Sequence, residues 1–345
     1  MSSKDPNDLL FEFDPSVAPS ELQPFAPEEM VRCEECLRAN SPTRIACLYC
    51  GTALPENLIK TAAAVKAAAR TPEPGQSAFN LILSSSSTVG DDSIEKAAAV
   101  LRLNANDLTR LVRAKVTLPV ARAASHDDAE QIQRALLDFG WQTLIVSDES
   151  LAVESSAQRR LRTIEIQPDR LVVHPTTGEE KSFEWSKLTL LVSARIFTNQ
   201  VEVKERKRRG AGSSVLDSTE TTTDEAVLDL YTQHEPAGWR ILANNFDFSC
   251  LGEAKSLVAG ENFNSLVRLL REYAPSADFD DNYVGVRRGL EVVWPSDQQK
   301  SPRGWRRERA GKYSTNELAV TTNESQFMRY SRLRRLLNSA AKVSS

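Results

Sequence analysis

The sequence predicts an α+β chain of several modules. These are a small four-cysteine zinc ribbon, a β-α-α-β-α-β sandwich, and an antiparallel β-barrel capped by a C-terminal helix. Three observations predict it. Four of the five cysteines fall in one short stretch, Cys33-Glu-Glu-Cys36 … Cys47-Leu-Tyr-Cys50-Gly51. Residues 78–150 alternate short apolar runs with helical stripes. Residues 158–275 instead carry closely spaced short strands separated by turn residues. The length of 345 residues exceeds what one hydrophobic core usually organises.

The first 30 residues hold seven acids against Lys4, together with five prolines. Few of these residues can build a core, so a disordered acidic tail is expected. Within it, Leu9-Leu10-Phe11-Glu12-Phe13-Asp14 sets apolar residues among acids, which suits either a short docking motif or plain exposed chain.

Residues 31–55 form the cysteine module. Two Cys-x-x-Cys turns separated by ten residues can each offer two thiolates to one tetrahedral ion. The ligands are then Cys33, Cys36, Cys47 and Cys50, and the cofactor is structural Zn2+. With four protein ligands no position stays open for substrate. So short a segment cannot bury enough surface to fold alone, and metal binding would supply its folding energy. Gly51 suits a positive φ after the second pair. Cys250 stands apart in an apolar run and reads as a core thiol.

The spacing Cys33-x2-Cys36-x3-Asn40-x6-Cys47-x2-Cys50 resembles Ran-binding-protein-type zinc fingers, asparagine included. Cys47-Leu-Tyr-Cys50-Gly51-Thr-Ala-Leu54 is similar to the second half of a bacterial zinc ribbon. The resemblance implies metal binding. The finger family's tryptophan before the first cysteine is Val31 here, and only Arg44 and Tyr49 match its RNA-contacting residues.

An Ala/Lys helix and a Pro/Gly linker are expected over 56–77. The next unit opens with a strand at Phe79–Leu83. Asp92-x-x-Glu95 marks a helix start, Asn106 caps a second helix, and Ser125-x-x-Asp128 caps a third that ends at Gly140. Trp141–Val146 closes the unit as a strand. This order resembles the C-terminal domain of the bacterial ribosomal stalk protein and the Clp-protease adaptor fold. The stalk family's lysines and the adaptor's Asn-Asp-Asp loop are absent, so only the fold is implied.

Residues 158–275 read as strands at 161–167, 170–174, 181–185, 189–194, 201–205, 226–231, 239–243 and 246–250. A helix with Phe263, Leu266 and Leu270 follows. About seven antiparallel strands closed by a helix resemble a pleckstrin-homology-like barrel. Phe183-Glu-Trp185-Ser-Lys-Leu188 is similar to the stretch after the third strand in its bacterial members. The run Lys204-Glu-Arg206-Lys207-Arg208-Arg209 opens a Ser/Thr/Gly-rich loop reaching Thr223. Such a loop suits anionic lipid, or simply a solvated hairpin end. Residues 276–295 read as a docking segment, and Asp278, Asp280 and Asp281 before it cap its helix.

Residues 296–345 read as a basic tail. Arg303, Arg306, Arg307 and Arg309 interleave with Trp305. A helix then starts near Asn323 and carries Arg332, Arg334 and Arg335. Arginines among aromatics suit nucleic-acid phosphates and bases. A basic amphipathic helix also suits an anionic membrane, a partner's groove, or the chain's own acidic N-terminus.

The overall charge of −4, with 41% hydrophobic residues, is that of an ordinary soluble protein. The N-terminus shows no apolar signal region, and the thiols pair in the spacing of a reducing compartment, so a cytoplasmic location is expected. The three histidines lie far apart and no nucleotide-binding glycine loop or nucleophile elbow is present. No enzyme and no small-molecule substrate are expected. The leading expectation is a non-catalytic adaptor or scaffold with a protein partner. The alternatives are a nucleic-acid- or ribosome-associated protein and a peripheral binder of anionic membrane.

Overall fold

A computed structural model describes residues 31–33, 35–40, 47–52, 54, 77–84, 89–151, 158–208, 211–233, 235, 237–309 and 312–343. For residues 31, 204–208, 211–217, 302–309, 312–317 and 343 the backbone alone is described. The acidic segment 1–30, the Ala/Lys stretch, the linker, Arg44 and Arg209 lie outside the described residues. The chain divides into two compact units, Met1–Ala64 and Val65–Ser345.

In the first unit, β1 (Val31–Arg32) pairs antiparallel with β2 (Ala39–Asn40). Its small core is Cys33, Cys47 and Leu54, with Cys36 packed against it.

The second unit begins with β3 (Phe79–Leu83), α1 (Asp91–Leu101), α2 (Ala105–Arg113), β4 (Leu118–Ala123), α3 (His126–Leu137) and β5 (Thr143–Ser147). This is the expected β-α-α-β-α-β order. The three strands pair as β4-β3-β5, both pairings antiparallel. Alternation sends Leu81 and Leu83 toward the helices, where they meet Ile94, Leu108 and Ile132. The intervening Ile82 enters a different core with Tyr283, Trp294 and Phe327. Ser125 caps α3 by accepting from the Asp128 N–H, as its spacing predicts. Two caps differ from expectation. Asn104, not Asn106, caps α2, because its side chain accepts the Asn106 N–H at 2.9 Å. α1 has Gly90 at its N-cap without a side-chain hydrogen bond, while Asp91 and Asp92 sit in its first turn.

The remaining strands are β6 (Arg159–Ile166), β7 (Arg170–Pro175), β8 (Lys181–Glu184), β9 (Leu188–Arg208), β10 (Ala211–Thr232), β11 (Trp239–Leu242), β12 (Asp278–Asp280), β13 (Asp297–Arg309) and β14 (Lys312–Thr322). They form one sheet ordered β13-β14-β9-β10-β11-β6-β7-β8, with β12 parallel to β9. Among the described residues the expected closed barrel is not formed, and β13 and β8 end the strand order. The reason lies in β9. One of its sides is paired to β10 along the whole strand. The other side is taken by β12 at Leu190–Val192 and by β14 at 198–208. Both sides of β9 are thus occupied over most of its length.

The expected loop from Lys204 to Thr223 is also corrected, since its described residues continue the ladder of β9 and β10. Alternating Val, Thr and charged residues pair well across a two-stranded ribbon. The expected strand 246–250 is instead a 3-10 segment, Phe248–Ala254, opened by Asp247 accepting the Ser249 N–H at 3.0 Å. Cys250 is half-buried there, and burial pushes its thiol up to about 11.

Three helices complete the unit: α4 (Ala259–Tyr273), α5 (Tyr283–Leu290) and α6 (Glu324–Val343). α4 buries Phe263, Leu266 and Leu270 against Trp185, Trp239 and Leu228. α6 buries Phe327, Tyr330 and Leu333 beside Tyr283, Trp294 and Val192. That second core also holds Ile82, Leu111 and Leu118. The α/β segment and the large sheet therefore share one hydrophobic interior. Trp294 Nε1 donates to Asn80 Oδ1 at 2.8 Å inside it, and the Asn80 amide donates to Asp148 Oδ1 at 2.9 Å.

Candidate metal centre and cationic β-arm

The four cysteines of the first unit converge. Their sulfurs all lie within 4.8 Å of one another. Cys33 and Cys50 are 3.5 Å apart, as are Cys36 and Cys47. These gaps are far too long for a disulfide bond. They are close to the roughly 3.8 Å between thiolates around a tetrahedral ion with 2.3 Å metal–sulfur bonds.

Local backbone geometry builds both turns alike. The Leu37 N–H donates to the Cys33 carbonyl at 2.9 Å, and the Gly51 N–H donates to the Cys47 carbonyl at 3.0 Å. Leu37 and Gly51 stand four residues after the first cysteine of each pair, and both have positive φ, 56° and 75°. Gly51 was legible in the sequence, whereas Leu37 was missed. Its equivalent position in the other turn is the signal that finds it.

Donors around the sulfurs favour thiolate. The Tyr49 N–H and the Asn40 amide both reach Cys47 Sγ at 3.4 Å. Burial works to raise the Cys47 pKa, but these donors outweigh it and bring the thiol down to about 6. Cys50 is lowered chiefly by the Thr52 hydroxyl and backbone. The Arg38 N–H lowers Cys36, yet burial and its crowded neighbours win and push it up to about 12. A cation among the four thiols would remove that conflict by stabilising every thiolate at once. Asn40 is fixed in turn by accepting the Leu48 N–H at 2.8 Å. Leu37, Leu48 and Tyr49 stay exposed at 71%, 60% and 53%, and the Arg38 guanidinium lies 4.7 Å above the Tyr49 ring.

The second site comes from register. β9 and β14 pair antiparallel from Thr198↔Thr322 out to Arg208↔Lys312. β13 and β10 continue the ladder on either side. Two hairpins about a hundred residues apart in sequence thus lie side by side as a four-stranded arm. From Thr198 to Arg208 it runs for roughly 35 Å at about 3.4 Å per residue. None of its described side chains, 198–203, 218–224, 297–301 and 318–322, is buried.

The two basic runs meet at the outer end of this arm. One row of partners is Arg306, Ser314, Arg206 and Ser214. The next is Arg307, Tyr313, Lys207 and Ser213, and the next is Arg309, Lys312, Arg208 and Ala211. Inward, Lys204 pairs with Asn316, and Asn316 with Arg303. Stretches 204–217 and 302–316 together hold ten bases against Glu205, Asp217 and Glu308. Sequence reading found both runs but not their partnership. The signal was the glycines within each run, Gly210 and Gly212 in one and Gly311 in the other, flanked by strand-type residues.

The arginines of α6 are placed elsewhere. Arg334 ion-pairs with buried Asp280 at 2.7 Å. Arg332 donates to the Leu151 carbonyl, and Arg335 to the Glu235 carbonyl, at 3.2 and 2.9 Å. Asp280 also accepts the Tyr330 hydroxyl at 2.6 Å and, at the start of α5, the Asn282 N–H at 3.1 Å, so it ties α6 to the beginning of α5. These three arginines are engaged within the fold and are not brought to the arm.

No family model matches the chain, and neither a curated protein nor a solved structure matches it. No described helix is long and apolar enough to cross a membrane.

Proposed function

We propose that this chain is a nucleic-acid-associated protein that grips phosphate backbone with its cationic β-arm. The observation that carries this is the β9–β14 pairing, which turns two separate basic runs into one site. Closely grouped Lys and Arg displace counterions from a polyanion, and the released ions drive binding. The four-cysteine unit holds Zn2+ as a structural ion in this reading, supported by its four-thiol geometry and closed coordination. The element order of 77–151 supports the likeness to the stalk-protein domain. The test is fluorescence anisotropy of a labelled oligonucleotide across a salt series. Affinity falls linearly on logarithmic axes, and Arg306→Ala with Arg307→Ala makes that slope shallower by about two. An absence of binding at low salt overturns the reading.

A second reading, a non-catalytic cytoplasmic adaptor for another protein, is favoured by the exposed Leu37, Leu48 and Tyr49 on the four-cysteine unit. A defined partner whose capture is abolished by Leu37→Ser with Leu48→Ser would support it. Unchanged capture would remove it.

A further inference from the structure

The preferred ligand of the arm follows from its width and its aromatic positions. This step rests on the nucleic-acid reading above. Four strands spaced about 4.8 Å apart place the outer strand axes roughly 14 Å apart before side chains are added. A duplex major groove is about 12 Å wide and admits a helix or a two-stranded ribbon, not a four-stranded sheet. The arm therefore cannot lie within a groove with its full width. What it offers is a face.

The register says what that face carries. Trp305 pairs with Thr315, and two residues along, Arg307 pairs with Tyr313. Tyr313 pairs in turn with Lys207. Partners across a ladder share a face, and so do residues two apart along a strand. Trp305, Arg307, Tyr313 and Lys207 therefore occupy positions of one face. The alternate positions Arg306, Arg206 and Ser314 belong to the other. One face combines two aromatics with two bases and one acid, Glu205, which pairs with Thr315 beside Trp305, while the other is basic without an aromatic.

We infer that the aromatic face of the arm binds single-stranded nucleic acid, with bases stacking on Trp305 and Tyr313 while Arg307 and Lys207 neutralise phosphates. Unpaired bases have free π-faces, and sheet surfaces that display aromatics between cationic residues exploit them. A duplex keeps its bases stacked internally and can use only the charge.

The experiment uses the full chain with metal bound and three probes. These are an unstructured single-stranded oligonucleotide, the same sequence as a blunt duplex, and vesicles containing an anionic phospholipid. The single strand binds more tightly than the duplex. Trp305→Ala and Tyr313→Ala each weaken it about tenfold, leave duplex binding unchanged, and leave the salt slope unchanged. Trp305→Phe with Tyr313→Phe restores most of the affinity, which a fold defect would not permit. Equal affinity for duplex and single strand, with no effect of the alanine variants, overturns this inference and leaves the nucleic-acid reading standing. Binding to the vesicles alone overturns both.

Discussion

Arg240 and Asp229 face each other across neighbouring strands, joined by two hydrogen bonds in the interior. The guanidinium Nε donates to Oδ1 at 2.7 Å and Nη2 to Oδ2 at 2.9 Å. Both side chains are almost wholly buried, and Glu324 at the start of α6 approaches Arg240 Nη1 at 3.3 Å. Burial alone would lower the Arg240 pKa, but Asp229 overrides it and holds the charge. The pair thus links β10, β11 and the terminal helix. Arg240→Met leaves Asp229 charged and unpaired, and it is expected to cost about 3–5 kcal/mol. Replacing both by apolar residues of similar size costs much less. Urea unfolding of the single and double variants checks this.

Gly238 is required where β11 begins. A Cβ there would lie 2.6 Å from Tyr231 Cε1 and 2.9 Å from Gln158 Oε1. Neither neighbour can retreat freely. Gln158 donates to the Tyr231 hydroxyl at 2.6 Å, and that hydroxyl is 2.8 Å from the Ser331 hydroxyl. Gly238→Ala is expected to destabilise the second unit by about 1–3 kcal/mol through this overpacking. A lowered thermal midpoint with an unchanged far-ultraviolet spectrum is the expected result.

The four-cysteine unit should fail alone. Cys33→Ser removes one of four ligands, so the bound metal is lost and the turns at 33–37 and 47–51 loosen. Elemental analysis is expected to read one ion per chain in the wild type and a small fraction of that in the variant. Amide exchange within 77–343 is expected to stay as protected as before. Unfolding of both units together would contradict the division at residue 64.

Acid should act partly through Glu235. Lys181 Nζ lies 2.5 Å from its Oε1 and Arg159 Nη1 lies 3.1 Å from its Oε2. The Lys181 hydrogen bond lowers the Glu235 pKa most, against the effect of burial, and both cations add attraction. A depressed carboxylate contributes stability above its unfolded value of about 4.3, and that contribution is lost as pH falls through the folded value. The carboxylate remains about a quarter exposed, so the contribution stays below about 1 kcal/mol. Glu235→Gln should flatten the acid limb of stability against pH between about 5 and 3, with little effect at pH 7.

Local chemistry was legible wherever the residue types themselves impose it. The cysteine spacing located the four-thiol cluster, Ser125 located a helix start, and Gly140 and Gly178 adopt the positive φ of turn residues. What stayed hidden was pairing between distant segments. The residues of 198–208 alternate and carry charge, and so does a solvated loop, so periodicity alone could not set β9 against β14. The α6 arginines read as a surface because sequence shows their charge but not their partners Asp280, Leu151 and Glu235. Closure of a barrel was expected because strand count is visible in sequence, while the occupant of each strand edge is not.

The contact between Asn80 and Trp294 spans 214 residues of chain. A polypeptide made from its N-terminus must wait for that contact. The core that holds Ile82, Leu111 and Leu118 is incomplete until Tyr283, Trp294 and finally Phe327, Tyr330 and Leu333 have been synthesised. The second unit is therefore completed late, through contacts of high sequence separation. A product halted before residue 324 would leave its apolar interior open to water, and aggregation or degradation would be its fate.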